Sequence, residues 1–310
     1  MANEFLKAEK FASVAVTMLE RELVLGRLVW TNHGIDFSGA KGDAVTLRIP
    51  ARTTAREYDW RNDRSATITT DSLVEDSVNV NLNHDIYSAV AVTDEELTLD
   101  VESFGAQILD PQVRAVATDI DMRIASMIES APYPTDATGT VTVEAGATWD
   151  GVVEARRLLN VNEVPNSNRV LLVGSNFEAA LLKDDKFTDV DRSGSSSALR
   201  DATLGRLGGF TIVTSTAINP DSAYAFVPSA FLVATRAPAI PAGAPYGAGA
   251  SFAGYAMRWV RDYESQRLQD RSVVSTFAGF NIMLDQVAPG NTSDPKVLKR
   301  AVKLELAPLG

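Results

Sequence analysis

The stretch DPQVRAVATDIDMRIASMIES, residues 110–130, decides the reading of this chain. Val113, Val116, Ile120, Ile124, Met127 and Ile128 recur at three- and four-residue steps, which lays one apolar stripe along roughly five turns of helix. Pro111 is tolerated at a helix start, and Pro132 stops the element. The spacing predicts a helix over 112–130, the longest in the chain.

Upstream of that helix, Thr93-Asp94-Glu95-Glu96 has the form of a capping box that opens a short helix. Val78, Val80 and Leu82 alternate with Asn79, Asn81 and Asn83, and Val45, Leu47 and Ile49 alternate before Pro50. The region 45–82 therefore reads as a long hairpin. At the N-terminus, Phe11, Val14, Met18, Leu19, Leu23 and Leu25 mark an amphipathic helix that Gly26 could end. It must bury its stripe on its own domain or on a neighbouring subunit.

Downstream, 132–148 reads as a loop or small hairpin and 149–159 as a helix. The run Arg169-Val170-Leu171-Leu172-Val173 has the profile of a buried strand. Ser175-Asn176-Phe177-Glu178 forms a second capping box, and the polar segment 184–202 reads as a surface loop. Strands are predicted at 209–213, 224–227 and 231–235. The Pro-, Gly- and Ala-rich stretch 237–254 reads as a loop. Two long strands, 255–263 and 273–284, follow, and Val302, Leu304 and Leu306 alternate in a last one.

Composition narrows the function. The 310 residues are 45% apolar and 22% charged, within the globular range, and carry a net charge of -11. Specific nucleic-acid binders gain affinity from a basic face, which this chain lacks. Its one basic segment, Lys296, Lys299, Arg300 and Lys303 against Glu305, reads as a solvated face. There is no cysteine, which excludes disulfides, thiolate zinc sites and a cysteine nucleophile. No apolar run approaches the roughly 20 residues of a membrane span, and no signal-peptide core follows Met1. The expectation is a soluble, unexported protein without membrane contact.

Motifs for chemistry are sparse. The only histidines, His33 and His84, lie in turn-like or strand-edge contexts. There is no Gly-x-Ser-x-Gly elbow, and Gly247-Ala248-Gly249 lacks the remainder of a phosphate-loop motif. Asp189-Val190-Asp191-Arg192-Ser193-Gly194 matches half of a calcium loop, but Arg200 stands where a bidentate Glu belongs. Asn291-Thr292-Ser293 fits a glycosylation sequon that an unexported chain would never present. No catalytic, metal-binding or cofactor-binding residue is assigned, and no cofactor is expected.

The middle of the hairpin stands apart. Arg52, Arg56, Tyr58, Asp59, Trp60, Arg61, Asp63 and Arg64 are too mixed in sign for DNA and too polar for a core. Two readings stay open: a solvated hairpin tip, or a protein-contact arm, since Arg, Tyr and Trp are favoured interface anchors.

The order of elements resembles the α+β Hong Kong 97-type fold of tailed-bacteriophage major capsid proteins. The similarity is carried by Thr93-Asp94-Glu95-Glu96-Leu97 before the long helix and by Arg169-Val170-Leu171-Leu172-Val173-Gly174-Ser175-Asn176-Phe177. It continues through Leu204-Gly205-Arg206-Leu207-Gly208-Gly209-Phe210-Thr211-Ile212-Val213-Thr214-Ser215, and it spans nearly the whole chain. The resemblance implies an N-terminal arm over 1–44, an extended loop over 45–92, and a peripheral domain over 93–148 with spine helix 112–130. It further implies an axial α/β domain over 149–245, with return strands of the peripheral domain and a tail over 246–310. The implied function is structural and not enzymatic: many copies, as hexamers and pentamers, closing into an icosahedral shell around double-stranded DNA. Scaffolding, portal and decoration proteins are the further partners that the resemblance implies. The packaged DNA would be held without sequence-specific binding, and assembly would occur in the host bacterial cytoplasm to give a virion component. The absence of a long N-terminal scaffolding extension suggests that the scaffold, if one is used, is a separate protein.

Three alternatives remain at this point. An encapsulin-like nanocompartment shell would share the fold. A cytoplasmic hydrolase using carboxylates such as Asp119 and Asp121 would need a concave pocket around them. A tail or baseplate protein would form rings or tubes.

Overall fold

The computed structural model describes residues 8–31, 44–49, 55–58, 60–61, 64–65, 67–68, 70, 76–99, 104–135, 139–144, 146–184, 205–252, 254–286 and 296–307. In chain order the elements are α1 (Ala8–Glu22), a 3-10 turn (Leu25–Arg27), β1 (Trp30–Thr31), β2 (Ala44–Ile49), β3 (Asp76–Asn81), β4 (His84–Thr93) and α2 (Asp94–Leu99). A π turn (Gly105–Leu109) leads into α3 (Asp110–Glu129), followed by β5 (Thr140–Val143), α4 (Thr148–Val161), β6 (Arg169–Val173) and α5 (Ser175–Lys183). Then come β7 (Arg206–Leu207), β8 (Phe210–Thr214), β9 (Ser222–Phe226), β10 (Phe231–Arg236), β11 (Tyr246–Phe252), β12 (Tyr255–Glu264) and β13 (Gln269–Ile282). The short pair β14 (Asp285–Gln286) and β15 (Lys296–Val297) precedes β16 (Ala301–Leu306).

Two sheets organise the chain. Sheet one runs β1-β10-β13-β12-β11, with β4 on the other side of β13. The fourteen residues of β13 serve three partners: β12 along the first half, β10 along the second, and β4 across Gln269–Ala278. Sheet two runs β5-β16-β9-β6-β8-β7. The division expected by chain position does not follow these sheets. Phe231–Arg236, assigned to the 149–245 unit, pairs in sheet one, while Thr140–Val143 and Ala301–Leu306 pair side by side in sheet two. Val302 and Leu304 point into the core beneath α4, and that burial brings the last strand next to β9.

The predicted stripe of the long helix is buried: Val113, Val116, Ile120, Ile124 and Ile128 are all within 1% of fully covered. It meets Ala15, Val16 and Leu19 of α1, Leu23 just after it, and Met257, Trp259 and Val274 of sheet one in a single cluster. Each such Ile or Val contributes about 1.5–3 kcal/mol by leaving water. The same cluster takes in Val170, Leu172, Tyr224 and Phe226 from one face of sheet two. The other face, with Leu171, Val173, Ala223 and Ala225, packs under α4 and α5. β6 is therefore covered on both faces, as its unbroken apolar run predicts.

Several local expectations need correction. Pro111 stands at the start of α3 as expected, but the helical path does not begin there. The π turn precedes it in a continuous helical path from Phe104, and the wider turn accommodates a residue that cannot donate to the preceding turn. The Ser175 capping box does not form. Gly174 is the cap residue, and the Pro220 carbonyl accepts the free N–H groups of Asn176 and Phe177, both at 3.0 Å. Residues 246–252, expected to be loop, form β11. Gly247 and Gly249 face Ile240 and Ala237, Ala248 is buried, and Ala250 packs on the core beneath α1, so small side chains there permit close layers. The capping box at Thr93 does form, with Glu96 accepting the Thr93 N–H at 2.9 Å and Thr93 Oγ1 accepting the Glu96 N–H at 3.3 Å.

Polar contacts lock α3 in place. Buried Gln112 donates to the Ser88 and Ser272 carbonyls at 3.1 and 2.9 Å and accepts from Ser272 Oγ at 2.8 Å; Trp259 Nε1 donates to that same hydroxyl at 3.0 Å. At the middle of the helix, the Asp121 carboxylate accepts the N–H groups of Val24, Leu25 and Gly26 at 2.8, 3.3 and 3.0 Å. Burial raises the Asp121 carboxyl above its ordinary value, while these three donors and Arg27 pull against the rise.

Two substitutions test this framework. Asp121→Ala removes the acceptor for three N–H groups and is expected to cost about 1–2 kcal/mol, read as a lower midpoint in urea, with Asp121→Asn milder. Gly174→Ala would press a methyl group onto the Asn219 and Pro220 carbonyls. It is expected to cost about 1–3 kcal/mol in the same assay, because backbone on both sides must shift.

Candidate subunit-contact surfaces

β2 and β3 pair antiparallel from Ala44↔Asn81 to Ile49↔Asp76, so the hairpin root forms as its alternation predicts. The root is fastened to sheet one. Val80 is fully buried with Leu232, Ala234 and Met283, and Asn281 Nδ2 donates to the Asn79 carbonyl at 2.6 Å. Gly279 lies so close to the Asn81 carbonyl that no side chain fits there. Beyond Asn81 the chain does not continue the hairpin to residue 92. His84–Thr93 instead runs in register along β13.

The arm's far end is built from residues that sequence reading singled out. Arg56, Trp60, Arg61 and Arg64 are exposed and Tyr58 is half-buried, while Arg52, Asp59 and Asp63 lie outside the described residues. The structure makes two Arg-on-aromatic pairs of four of them. The Arg61 guanidinium carbon sits 5.9 Å from the Trp60 ring centre, and that of Arg64 sits 5.2 Å from the Tyr58 ring centre. Both arginines adopt left-handed backbone, with φ of 58° and 60°. That conformation costs a non-glycine residue about 1–2 kcal/mol, comparable to the about 0.5–1 kcal/mol from each exposed cation–π contact. Trp60 remains 85% exposed and Ile68, further along the arm, 72%. Trp60 and Ile68 thus leave a large apolar surface in water on the segment that follows a hairpin root fastened to sheet one.

Sequence reading missed a second surface. β4 lies at the edge of sheet one and exposes Tyr87, Ala89, Val90 and Ala91 on a strand whose Ile86 and Val92 are buried. Its exposed apolar character was legible in the sequence, but assigning it to the hairpin hid its place on a sheet edge.

Elsewhere the titratable groups are committed to structure. Asp119 pairs with Arg123 at 2.7 Å and Asp121 caps the 3-10 turn, so the two carboxylates of the hydrolase reading do not converge. Asp121 does border an open groove of about 520 Å3 between Val24–Leu25, α3, the start of α5 and Thr214–Ala217, but its oxygens already accept backbone N–H groups there. Arg123 also contacts His84 Nδ1 at 3.0 Å, and the His84 ring packs 5.6 Å from Phe280. In the basic C-terminal segment, Arg300 is paired with Asp285 at 2.6 Å and Lys303 with Glu305. Burial raises the Tyr133 hydroxyl well above its usual range and the Tyr224 hydroxyl to about 12, so both stay protonated in the core between the sheets. Among the described residues, no group of three His, Asp or Glu side chains could hold a metal ion, and no helix is long and apolar enough to cross a membrane. The half calcium loop at 189–194 and His33 lie outside the described residues.

Trp60→Ala is expected to change stability against thermal unfolding by no more than about 1 kcal/mol, because Trp60 is 85% exposed and the variant loses only the exposed Arg61 stacking. Scanning calorimetry of the variant below its assembly concentration checks this.

Comparison with known proteins gives these surfaces a context. The profile described as "Phage capsid protein" matches residues 87–279. No curated protein sequence matches the chain. Among solved structures, the chain is similar to one from Mycobacterium phage Che8, with 19% identity, a TM-score of 0.61, and coverage of 91% of this chain and 90% of that one. It is also similar to the capsid structure of Cyanophage P-SCSP1u, at 12% identity and a TM-score of 0.59, over 99% and 90% of the two chains. The capsid of a native GTA particle matches at 15% identity and a TM-score of 0.54, over 99% and 93%. At these identities the likeness is one of fold, whereas the profile match spans more than half of the sequence. The chain thus belongs to the phage capsid protein family and has the Hong Kong 97-type capsid fold.

Proposed function

We propose that this protein is the major capsid protein of a tailed phage, whose copies close into an icosahedral shell around double-stranded DNA. The observation that carries this reading is the arm: a hairpin rooted in sheet one whose tip presents Trp60, Ile68 and three arginines to solvent. A monomer gains nothing from such an exposed tip, whereas a shell subunit uses it to cover a neighbour. In this reading, sheet one with α1 and α3 is the peripheral domain and sheet two with α4 and α5 is the axial domain around the five- and six-fold axes. The residues Arg52, Arg56, Tyr58, Asp59, Trp60, Arg61, Asp63 and Arg64 make the arm's intersubunit contacts. The net charge of -11 suits an inner wall that must confine DNA without binding it tightly. Assembly takes place in the host cytoplasm, and the product is a virion component.

The test is the double charge reversal Arg61→Glu/Arg64→Glu, compared with the unaltered chain by negative-stain electron microscopy, with scaffold co-expressed. The unaltered chain is expected to give closed shells and the variant about ten-fold fewer, with thermal unfolding of the subunit unchanged. Shells from the variant in normal number would refute the contact role of the arm. A lack of any assembly from the unaltered chain would refute the capsid reading.

A further inference from the structure

β11 ends sheet one on the side away from β4. It pairs with β12 in unbroken register from Tyr246↔Arg261 to Phe252↔Tyr255, and among the described residues no strand pairs with its other edge. Proteins guard such edges with charge, proline or a bulge, because unpaired backbone N–H and C=O groups invite another strand. Residues 246–252 hold none of these guards. α1 packs on one face of the strand, where Ala248 is buried and Ala250 joins the core. The opposite face is open. Gly249 and Ser251 are exposed there, and Ile240 and Tyr246 beside them are 46% and 62% exposed.

The charge pattern points to the partner. In a chain that is 22% charged and carries -11, no residue between Arg236 and Arg258 bears a charge. Arg258, the β12 neighbour of Gly249, is engaged by Ser275 Oγ on β13 and by the Ala239 carbonyl. Two copies of an acidic chain repel over most of their surface, and a two-fold contact brings the same patch of each together. A neutral edge of small residues is where such a contact meets no like charge. The β4 edge is the opposite case: Asp85 lies within it and Asp94, Glu95 and Glu96 follow it, so pairing with its own copy would gather carboxylates.

We infer that the free edge of β11 pairs antiparallel with the same edge of a second copy across a two-fold axis, joining sheet one of both copies into a continuous sheet. Full overlap of two identical seven-residue strands fixes the register. Gly249 stands opposite its own copy, Ala248 opposite Ala250, and Gly247 opposite Ser251. Ile240 and Tyr246 leave water as the edges meet. A strand this short is too small to hold a dimer by itself. The pair therefore forms between subunits that other contacts already bring together, so the inference rests on the capsid reading and adds to it a contact separate from the arm.

The chain has no cysteine, so cross-linking reads the register directly. A side chain fits at Gly249, where an added Cβ meets Ala237 Cβ at 3.6 Å and the Met257 carbonyl oxygen at 3.9 Å. Opposed Cα atoms of an antiparallel pair lie about 4.5–5.5 Å apart, within disulfide reach. Shells of full-length Gly249→Cys, assembled under reducing conditions and then oxidised, are expected to convert mostly to covalent dimers of the 33.3 kDa chain on a denaturing gel. Ser251→Cys is expected to give about ten-fold less, because Ser251 and its own copy stand about 13 Å apart along the strands. Adding Gly247→Cys to Ser251→Cys should restore the dimer. That double variant carries the test if Gly249→Cys does not assemble, since the Cβ added at Gly247 presses on the Ile240 Cγ2 methyl of an exposed side chain. Shells in which these variants stay monomeric, or in which Ser251→Cys alone cross-links as well, would overturn the inference and leave the capsid reading standing. An unaltered chain that never assembles would overturn both.

Discussion

Everything in this subunit leans on one helix being buried along its length against partners from both sheets. The front half of α3 is held to sheet one by Gln112, whose amide satisfies carbonyls of both β4 and β13 and meets the Ser272 hydroxyl. Its middle packs on α1 and holds the 3-10 turn that follows that helix through Asp121. Its rear end reaches sheet two, where Glu129 accepts the Asn219 N–H at 2.5 Å and Tyr133 packs against Tyr224 with ring centres 5.8 Å apart. A buried amide left without its carbonyls would cost more than the bonds contribute when made, so the register of α3 on sheet one admits little slippage. The helix therefore sets the distance and angle between the sheets, and with them the positions from which the arm and the edge strand project.

What the sequence revealed and what it hid divide along the same physical line. Features governed by neighbours a few residues away were legible: the stripe of α3, the Thr93 capping box, the alternation at Val78–Leu82, the apolar run of β6. Features governed by distant partners were not. Ser175 has every local attribute of a cap, but the Pro220 carbonyl, brought in from another connection, already satisfies the N–H groups that it would have served. The Gly- and Ala-rich run of β11 carries no strand propensity and is a strand because α1 and the 237–240 segment need small residues to approach it. The final strand lies between β5 and β9, which no local pattern could announce. For the contact surfaces, the unusual mixture of Arg, Tyr and Trp in the arm drew attention by composition alone. The β4 edge did not, since an edge exists only once the sheet order is known.

Capsid family, fold and surface chemistry agree on what this subunit is built to do. The hydrophobic clusters close around the two sheets, while the arm leaves a tryptophan and an isoleucine in water at the end of a firmly anchored ribbon. Exposed apolar groups of that kind are a liability in a lone protein and an asset in one that acts as a repeating unit. The carboxylates that might have suggested hydrolysis are spent on capping and pairing within α3 and its neighbours.

The measurement that bears most directly on the central claim is the mass of the purified protein in solution, by light scattering and analytical ultracentrifugation with scaffold co-expressed. The account predicts species of many 33.3 kDa copies, as closed shells or as discrete rings of five and six. A strictly monomeric or dimeric protein under those conditions would contradict it.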